Sequence, residues 1–184
     1  MLANWQEQEL VNGGDSRLHY HLDDRGPFPI PHGSFYDTTQ QNIVSTTTAY
    51  AITLDTTALS KGVEIVSNSR ITVKSRGVYN IQFSCQLENS DTGSVHDAEI
   101  WLSKNGTNVT ESSTIVGVPA KHGGINGHCV AAWNFFVAAE RNDYFELYWK
   151  ADNTSVFMPH RAATTSPTRP SVPSVILTVN LVSV

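Results

Sequence analysis

Four segments of the chain alternate apolar and polar residues, and this alternation limits the possible fold more than any other feature. In the segment 77–87, every second position from Tyr79 to Leu87 is apolar or a thiol, and the positions between carry Asn, Gln and Ser. Successive side chains of a β-strand point to opposite faces, so such a segment has one buried and one exposed face. The other three segments are 98–104, 128–137 and 142–150. The pattern predicts antiparallel β-structure.

Shorter apolar segments and turn signals complete this prediction. Asn105-Gly106 separates 98–104 from 107–111, and Asn-Gly is a strong hairpin signal because both residues tolerate positive φ. No segment after Ser34 has a clear helical period. Further strands are predicted at 49–54, 63–67, 70–74, 113–118 and 174–182. The fold class predicted is therefore all-β, an antiparallel β-sandwich or jelly roll.

Composition excludes several functional classes. Charged residues make up 16% of the 184 residues, against roughly 25% in an average soluble domain, and the formal net charge is −5. Lys and Arg form no cluster that would bind phosphates, so we expect no nucleic-acid partner. No apolar run approaches the roughly 18 residues of a membrane span, and the first residues lack the basic and apolar regions of a secretory signal. We expect neither membrane insertion nor a signal peptide.

The sequence divides into an N-terminal arm with a proline-rich linker, residues 1–33, and a head domain, residues 34–184. The arm could form a helical turn around Trp5 and Leu10, and its last residues include three prolines at every second position. Proline fixes φ and donates no hydrogen bond, which favours an extended linker. An arm this short has no core, so we expect it to be ordered only on another surface.

The two cysteines, Cys85 and Cys129, point inward by strand parity. Free buried thiols behave as small hydrophobes, and a disulfide between facing strands is the alternative. Neither has a neighbouring base that would make it a nucleophile.

The order of the strands resembles the globular head shared by the q subunit of the first complement component and the tumour-necrosis-factor cytokines. The matching pieces are Gly-Val-Tyr-Asn-Ile-Gln-Phe at 77–83, Trp-Leu-Ser-Lys-Asn-Gly at 101–106, Ala-Trp-Asn-Phe at 132–135, Asn-Asp-Tyr-Phe-Glu-Leu at 142–147, and the terminal strand at 174–181. Members of that superfamily are compact trimers of jelly rolls. The resemblance therefore implies a homotrimer.

The hydrophobic pattern independently favours self-association. Ile176 and Val182 lie opposite the core face of the terminal strand, and Val130, Ala132 and Phe136 do the same in 128–137. Apolar residues on both faces indicate a strand that is covered on both sides, and a single sandwich covers only one. Burial of this second face by identical subunits would offset the cost of association. The predicted trimer interface comprises Gln82, Val130, Asn134, Phe136, Ile176 and Asn180.

Two N-terminal segments resemble structural proteins of tailed bacteriophages, particularly marine ones. They are Asp-Ser-Arg-Leu-His-Tyr-His-Leu-Asp-Asp-Arg at 15–25 and Phe-Tyr-Asp-Thr-Thr-Gln-Gln at 35–41. The resemblance implies an arm that docks on a capsid or tail protein and a head that projects outward, in a virion assembled from protein made in the host cytoplasm. The absence of a long fibre shaft favours a capsid decoration or short appendage. The arm residues expected to anchor are Trp5, Leu10, His19, Tyr20, His21 and Phe28.

The alternative function is a receptor- or glycan-binding head of a tail fibre, with a host surface glycan or receptor as partner. Trp101, Trp133 and Trp149 could form a sugar-stacking platform, but strand parity places Trp133 and Trp149 inside, which favours core aromatics. The loops 88–95 and 152–171, expected at one end of the sandwich, are the predicted contact sites for an outside partner.

No pattern indicates catalysis or a cofactor. His19 and His21 could chelate zinc or nickel, or they could hydrogen-bond to a docking surface. The glycine-rich loop between His122 and His128 lacks the order that cradles phosphate. Carboxylate pairs such as Glu7/Glu9 lie in the arm, where no cleft would shift their pKa values. We therefore expect a structural protein and not an enzyme.

Overall fold

The structure, a computed structural model, describes residues 30–184. The predictions for the helical turn around Trp5 and Leu10, for His19, Tyr20 and His21, and for Phe28 lie outside the described residues. In the described part, all regular structure is β-strand.

Sixteen strands follow one another along the chain. They are β1 (His32–Asp37), β2 (Gln41–Asn42), β3 (Tyr50–Ala51), β4 (Thr56–Lys61), β5 (Val63–Val66), β6 (Arg70–Val73), β7 (Gly77–Asn89), β8 (His96–Lys104), β9 (Thr107–Asn108), β10 (Thr114–Val118), β11 (Gly127–Ala139), β12 (Tyr144–Ala151), β13 (Val156–Met158), β14 (Thr164–Thr165), β15 (Thr168–Arg169) and β16 (Val175–Ser183).

Two antiparallel sheets hold all of these strands except the small β14–β15 hairpin. In the first, sheet I, β7 pairs with β11 along one side and with β16 and then β13 along the other, while β1 and β4 extend the sheet beyond β16 and β2 pairs with β13. In the second, sheet II, the order is β10-β8-β12-β6-β5, with β3 beside β12 and β9 beside β8. Every pairing is antiparallel, as the alternating segments predict.

The core lies between the two sheets, which identifies the fold as a β-sandwich. Sheet I contributes the odd-numbered residues of β7 and β16, including Ile81 and Leu177, and sheet II contributes Leu102, Phe145 and Trp149; all five are buried to within a few per cent. The inward parity predicted for Cys85 is confirmed, since its side chain is fully buried. The all-β, antiparallel sandwich is therefore confirmed, and the jelly-roll connectivity stays a prediction.

Six of the sixteen described strands were missed by sequence reasoning: β1, β2, β4, β13, β14 and β15. β1 begins at His32, so His32 and Gly33 belong to the sheet and not to the linker. β4 has almost no buried residue, because it is the edge of sheet I and has no need of an apolar face. β13 lies in the region 152–171, which looked like a loop because only Val156 and Met158 turn inward. Of the strand expected at 49–54, only Tyr50–Ala51 is paired.

The predicted Asn105-Gly106 hairpin is confirmed. Asn105 and Gly106 have φ of 51° and 80°, the positive values that a two-residue turn between β8 and β9 requires. The Asn105 side chain donates to Asp143 at 2.8 Å, and its Oδ1 accepts from the Tyr144 amide at 2.9 Å. This turn is thereby joined to the β11–β12 turn.

Asp143 makes the joint between these turns sensitive to pH. Burial raises its pKa, but hydrogen bonds from Lys104, Asn105 and the Glu140 amide lower it more, to about 2. Because the pKa in the folded state lies below the unfolded value, the carboxylate stabilises the fold above about pH 4, and this contribution is lost as the pH falls toward 2.

We expect Asp143→Asn to lower the free energy of unfolding by about 1 kcal/mol at pH 7, a figure reduced for screening by water, and to have no effect near pH 2. Denaturant titrations across this pH range measure the difference. Asp97→Asn, which removes an exposed carboxylate of β8, is the control and should change stability little. A deficit that persists undiminished at low pH would contradict this role of the charge.

Candidate interaction surface

The outward side chains of β7, β11 and β16 form a continuous surface, the exposed face of sheet I. The strand register sets its rows: Gln82 lies between Asn134 of β11 and Thr178 of β16, and Ser84 lies between Ala132 and Ile176. The face is thus one surface built from three strands that are far apart in sequence.

The structure brings the residues predicted for the trimer interface together on this face. The side chains of Val130, Phe136 and Ile176 are 56%, 61% and 43% exposed. The remaining three are exposed amides of the same face, Gln82, Asn134 and Asn180. Large exposed apolar side chains on a sheet face are a usual mark of an interaction surface.

The middle of the face is polar. Asn134 Nδ2 donates to Asn80 Oδ1 at 3.1 Å, and Asn80 is paired in register with Asn180 on the other neighbouring strand. Amide side chains offer both donors and acceptors, so this centre can bond to identical groups of another copy. Apolar side chains at the rim and amides at the centre give the face both contact area and a fixed register.

β11 is the edge of sheet I beside this face. All thirteen of its residues pair with β7, and among the described strands it has no partner on its other side. Trp133 and Phe135 turn toward the core, where Trp133 meets Phe83 at a ring distance of 4.5 Å, but both remain only half-buried. A long apolar edge strand is a site for association unless it is covered.

A cleft with the Glu88–Arg161 ion pair in its wall borders one end of the face. Buried Glu88 accepts hydrogen bonds from the Arg161 guanidinium and, at 3.1 Å, from the side-chain Nδ2 of Asn126. His128, exposed at the start of β11, lines the same cleft. Glu88 was expected in a loop, but it and Asn89 continue β7 and are buried there.

Asn89 connects the loops at this end. Its Nδ2 donates to the carbonyls of Ser94 at 2.9 Å and Val118 at 3.3 Å, and its Oδ1 accepts from the Asp91 amide and the Ser155 hydroxyl, each at 2.9 Å. The loop after β7 and the region after Asp152 therefore meet at one end of the sandwich, as the sequence predicts.

His96 lies between two carboxylates at the same end. One ring nitrogen is 2.8 Å from Asp91 and the other is 3.1 Å from Asp152. Hydrogen bonds from the Gly93 amide and from His96 lower the pKa of Asp91. These contacts hold the predicted contact loops against each other.

The opposite surface, the exposed face of sheet II, carries aromatic side chains that sequence reasoning assigned incompletely. Trp149 is 1% exposed and lies in the core as predicted. Trp101, by contrast, lies on the outside, where its ring is nearly parallel to that of Tyr148 at a centroid distance of 6.1 Å. Farther along β12, Arg70 lies over the Tyr144 ring at 4.6 Å. The partnership of Trp101 with Tyr148 depends on the β8–β12 register, so no local signal could have revealed it.

The cysteines and the two histidines beside the glycine-rich turn are the candidate reactive groups of the described part of the chain. Burial raises the pKa of both cysteine thiols, and both cysteines are free. Within residues 30–184, no three His, Cys, Asp or Glu side chains are placed to hold a metal ion together. His122 and His128 are exposed on either side of the glycine-rich turn. The chain from residue 30 onward contains no helix long and apolar enough to cross a membrane.

Comparison with protein-family models and with curated protein sequences finds no match to this chain. A functional proposal therefore draws on the surfaces described above and on the resemblances noted in the sequence.

Proposed function

We propose that the protein is a homotrimeric structural component of a tailed-bacteriophage virion, either a capsid decoration or a short surface appendage. The observation that carries this proposal is the exposed face of sheet I, where Val130, Phe136 and Ile176 surround a centre of amides. The resemblance of the strand order to trimeric jelly-roll heads supports the number of copies. The resemblance of segments 15–25 and 35–41 to phage structural proteins supports the virion.

Association through this face would cover both its exposed apolar side chains and the edge strand beside it. It removes three large apolar side chains from water, and it covers the edge of β11 that pairs with no described strand. A stable interface buries on the order of 800 Å² per partner, which a face of three long strands can supply. A three-fold axis closes such a contact into a ring, so no copy of this face remains exposed to bind further chains.

The amides at the centre of the face give this contact its specificity. A purely apolar face could slide against its copy, whereas Asn80, Gln82, Asn134 and Asn180 must each find donors and acceptors once they are removed from water. Near a three-fold axis, identical amides from three chains can satisfy one another. The polar centre therefore selects one register of assembly.

In this proposal the residues before β1 anchor the trimer on a capsid or tail protein. We expect a chain lacking residues 1–29 to form the same trimer and to be missing from purified particles, because the truncation leaves β1 and its pairing with β16 intact. Mass spectrometry of particles from complemented infections measures incorporation. The full-length chain, produced at the same level, is the control. Incorporation of the truncated chain at the full-length level would exclude the arm as the anchor.

A further inference from the structure

We propose that a cleft beside Trp101, on the exposed face of sheet II, binds a neutral saccharide. The cleft has a volume of about 380 Å³ and lies between β8 and the segment that joins β9 to β10. That volume is within the range of roughly 300–1,000 Å³ typical of small-molecule sites. The site is on the opposite side of the sandwich from the proposed trimer interface and does not depend on it.

Trp101 is held in place before any ligand arrives. On the β12 side its ring lies against Tyr148, and its Nε1 donates to Asn108 Oδ1 at 2.9 Å. The ring nevertheless stays partly exposed and lines the cleft on its β9–β10 side. An immobilised aromatic surface loses little entropy on binding, so it suits a ligand that stacks on it.

The other side chains of the cleft indicate what the ligand is. Glu99, Asn108, Glu111 and Ser113 line it together with Trp101 and Val109, and no Lys or Arg does. The Glu99 carboxylate is paired with Lys150 Nζ at 3.0 Å, whereas Glu111 has no charged partner among the described residues. Carboxylates in the lining disfavour phosphate, sulfate and acidic sugars. They accept strong hydrogen bonds from hydroxyl groups. An aromatic surface for C–H groups, surrounded by acceptors for O–H groups, matches a pyranose ring, which has C–H groups on its face and hydroxyl groups around its edge.

The backbone at Glu111 supports this interpretation. Its φ of 59° lies in the left-handed region, which costs a residue with a Cβ free energy and which occurs in turns and at functional sites. Glu111 adopts this conformation in the wall of the cleft, at a position where glycine would adopt the same backbone conformation at a lower cost in free energy. The cost is consistent with a need for the carboxylate.

Titration of the full-length protein with maltopentaose, cellopentaose and chitopentaose tests the proposal. We expect at least one of them to bind, with a calorimetric signal and a shift of the Trp101 indole N–H resonance. Trp101→Leu should weaken that binding by roughly tenfold or more, since it removes the stacking surface. Glu111→Gln should weaken it by a few-fold and keeps the test informative if the first variant fails to fold.

Tyr144→Leu, which changes an aromatic residue of the same sheet face outside the cleft, is the matched control and should bind as the wild type does. Absence of binding by all three saccharides at about 10 mM would overturn the proposal, because even weak sites are occupied at that concentration. So would binding that Trp101→Leu leaves unchanged, or a preference for choline, which would identify a cation site. The trimer is unaffected by any of these outcomes, so the two proposals fail separately.

Discussion

Phe136→Glu is expected to convert the proposed trimer into single chains. Phe136 is 61% exposed on β11, so the substitution leaves the core of the chain intact. In the proposed trimer, however, it would bury an unpaired carboxylate in each contact, which costs several kcal/mol per site. Sedimentation equilibrium should show a fall from the mass of three chains to that of one, 20.2 kDa.

The control for this experiment is Ile115→Glu, which puts the same charge at an equally exposed apolar position of β10 in sheet II. Ile115 is 65% exposed, and the proposed interface does not include it, so the variant should remain trimeric. Dissociation of both variants would show that charge alone, and not the face, matters. A wild-type chain that remains single at high concentration would refute self-association itself.

Asn89→Ala is expected to lower the free energy of unfolding by about 3 kcal/mol, because buried groups that lose their partner cost roughly 1–3 kcal/mol each. Asn89 is fully buried, and its amide serves two carbonyls, one backbone amide and one hydroxyl. Thermal unfolding should shift downward by roughly 10 °C in a domain of this size.

The control for this second experiment is Asn42→Ala. Asn42 is an exposed amide of β2, where it accepts a hydrogen bond from Gln40 at 2.8 Å, and its loss should change stability by less than about 0.5 kcal/mol. Hydrogen exchange should also report faster opening of the loop after β7 in Asn89→Ala. Equal stability of the two variants would show that water replaces the buried amide without cost.

The two exposed faces of the sandwich differ in chemistry, and this separates the proposed roles. The face of sheet I has exposed apolar side chains around amides, which suits a copy of the same chain. The face of sheet II has Trp101 and Tyr148 with carboxylates beside them, which suits a hydroxyl-rich ligand. If the trimer forms through sheet I, the Trp101 cleft of every chain faces outward. The three clefts of one trimer would then raise the apparent affinity for a repeated surface glycan.

The long strands could be predicted because their information is local. In β7 and β16, the alternation of apolar and polar residues sets which side chains are buried, independently of what the strand pairs with. The same parity placed Ile176 and Phe136 on an outer face, and the Asn105-Gly106 turn followed from two adjacent residues. β1 and β4 escaped notice for different reasons. β1 lies between β16 and β4, but Phe35 is the one large apolar side chain among its buried residues. β4 is an edge strand, and an edge needs little burial.

Parity in the sequence thus determined the all-β class, the inward and outward positions of the long strands, and the candidate interface residues. Only the tertiary structure decided which of these residues meet. The contact of Glu88 with Arg161, the position of Asn89 among three loops, and the packing of Tyr148 against Trp101 all depend on the register between distant strands. Register is set by the pairing of two strands. The sequence of one segment therefore shows which of its side chains share a face, but it does not show which residues of other strands lie beside them.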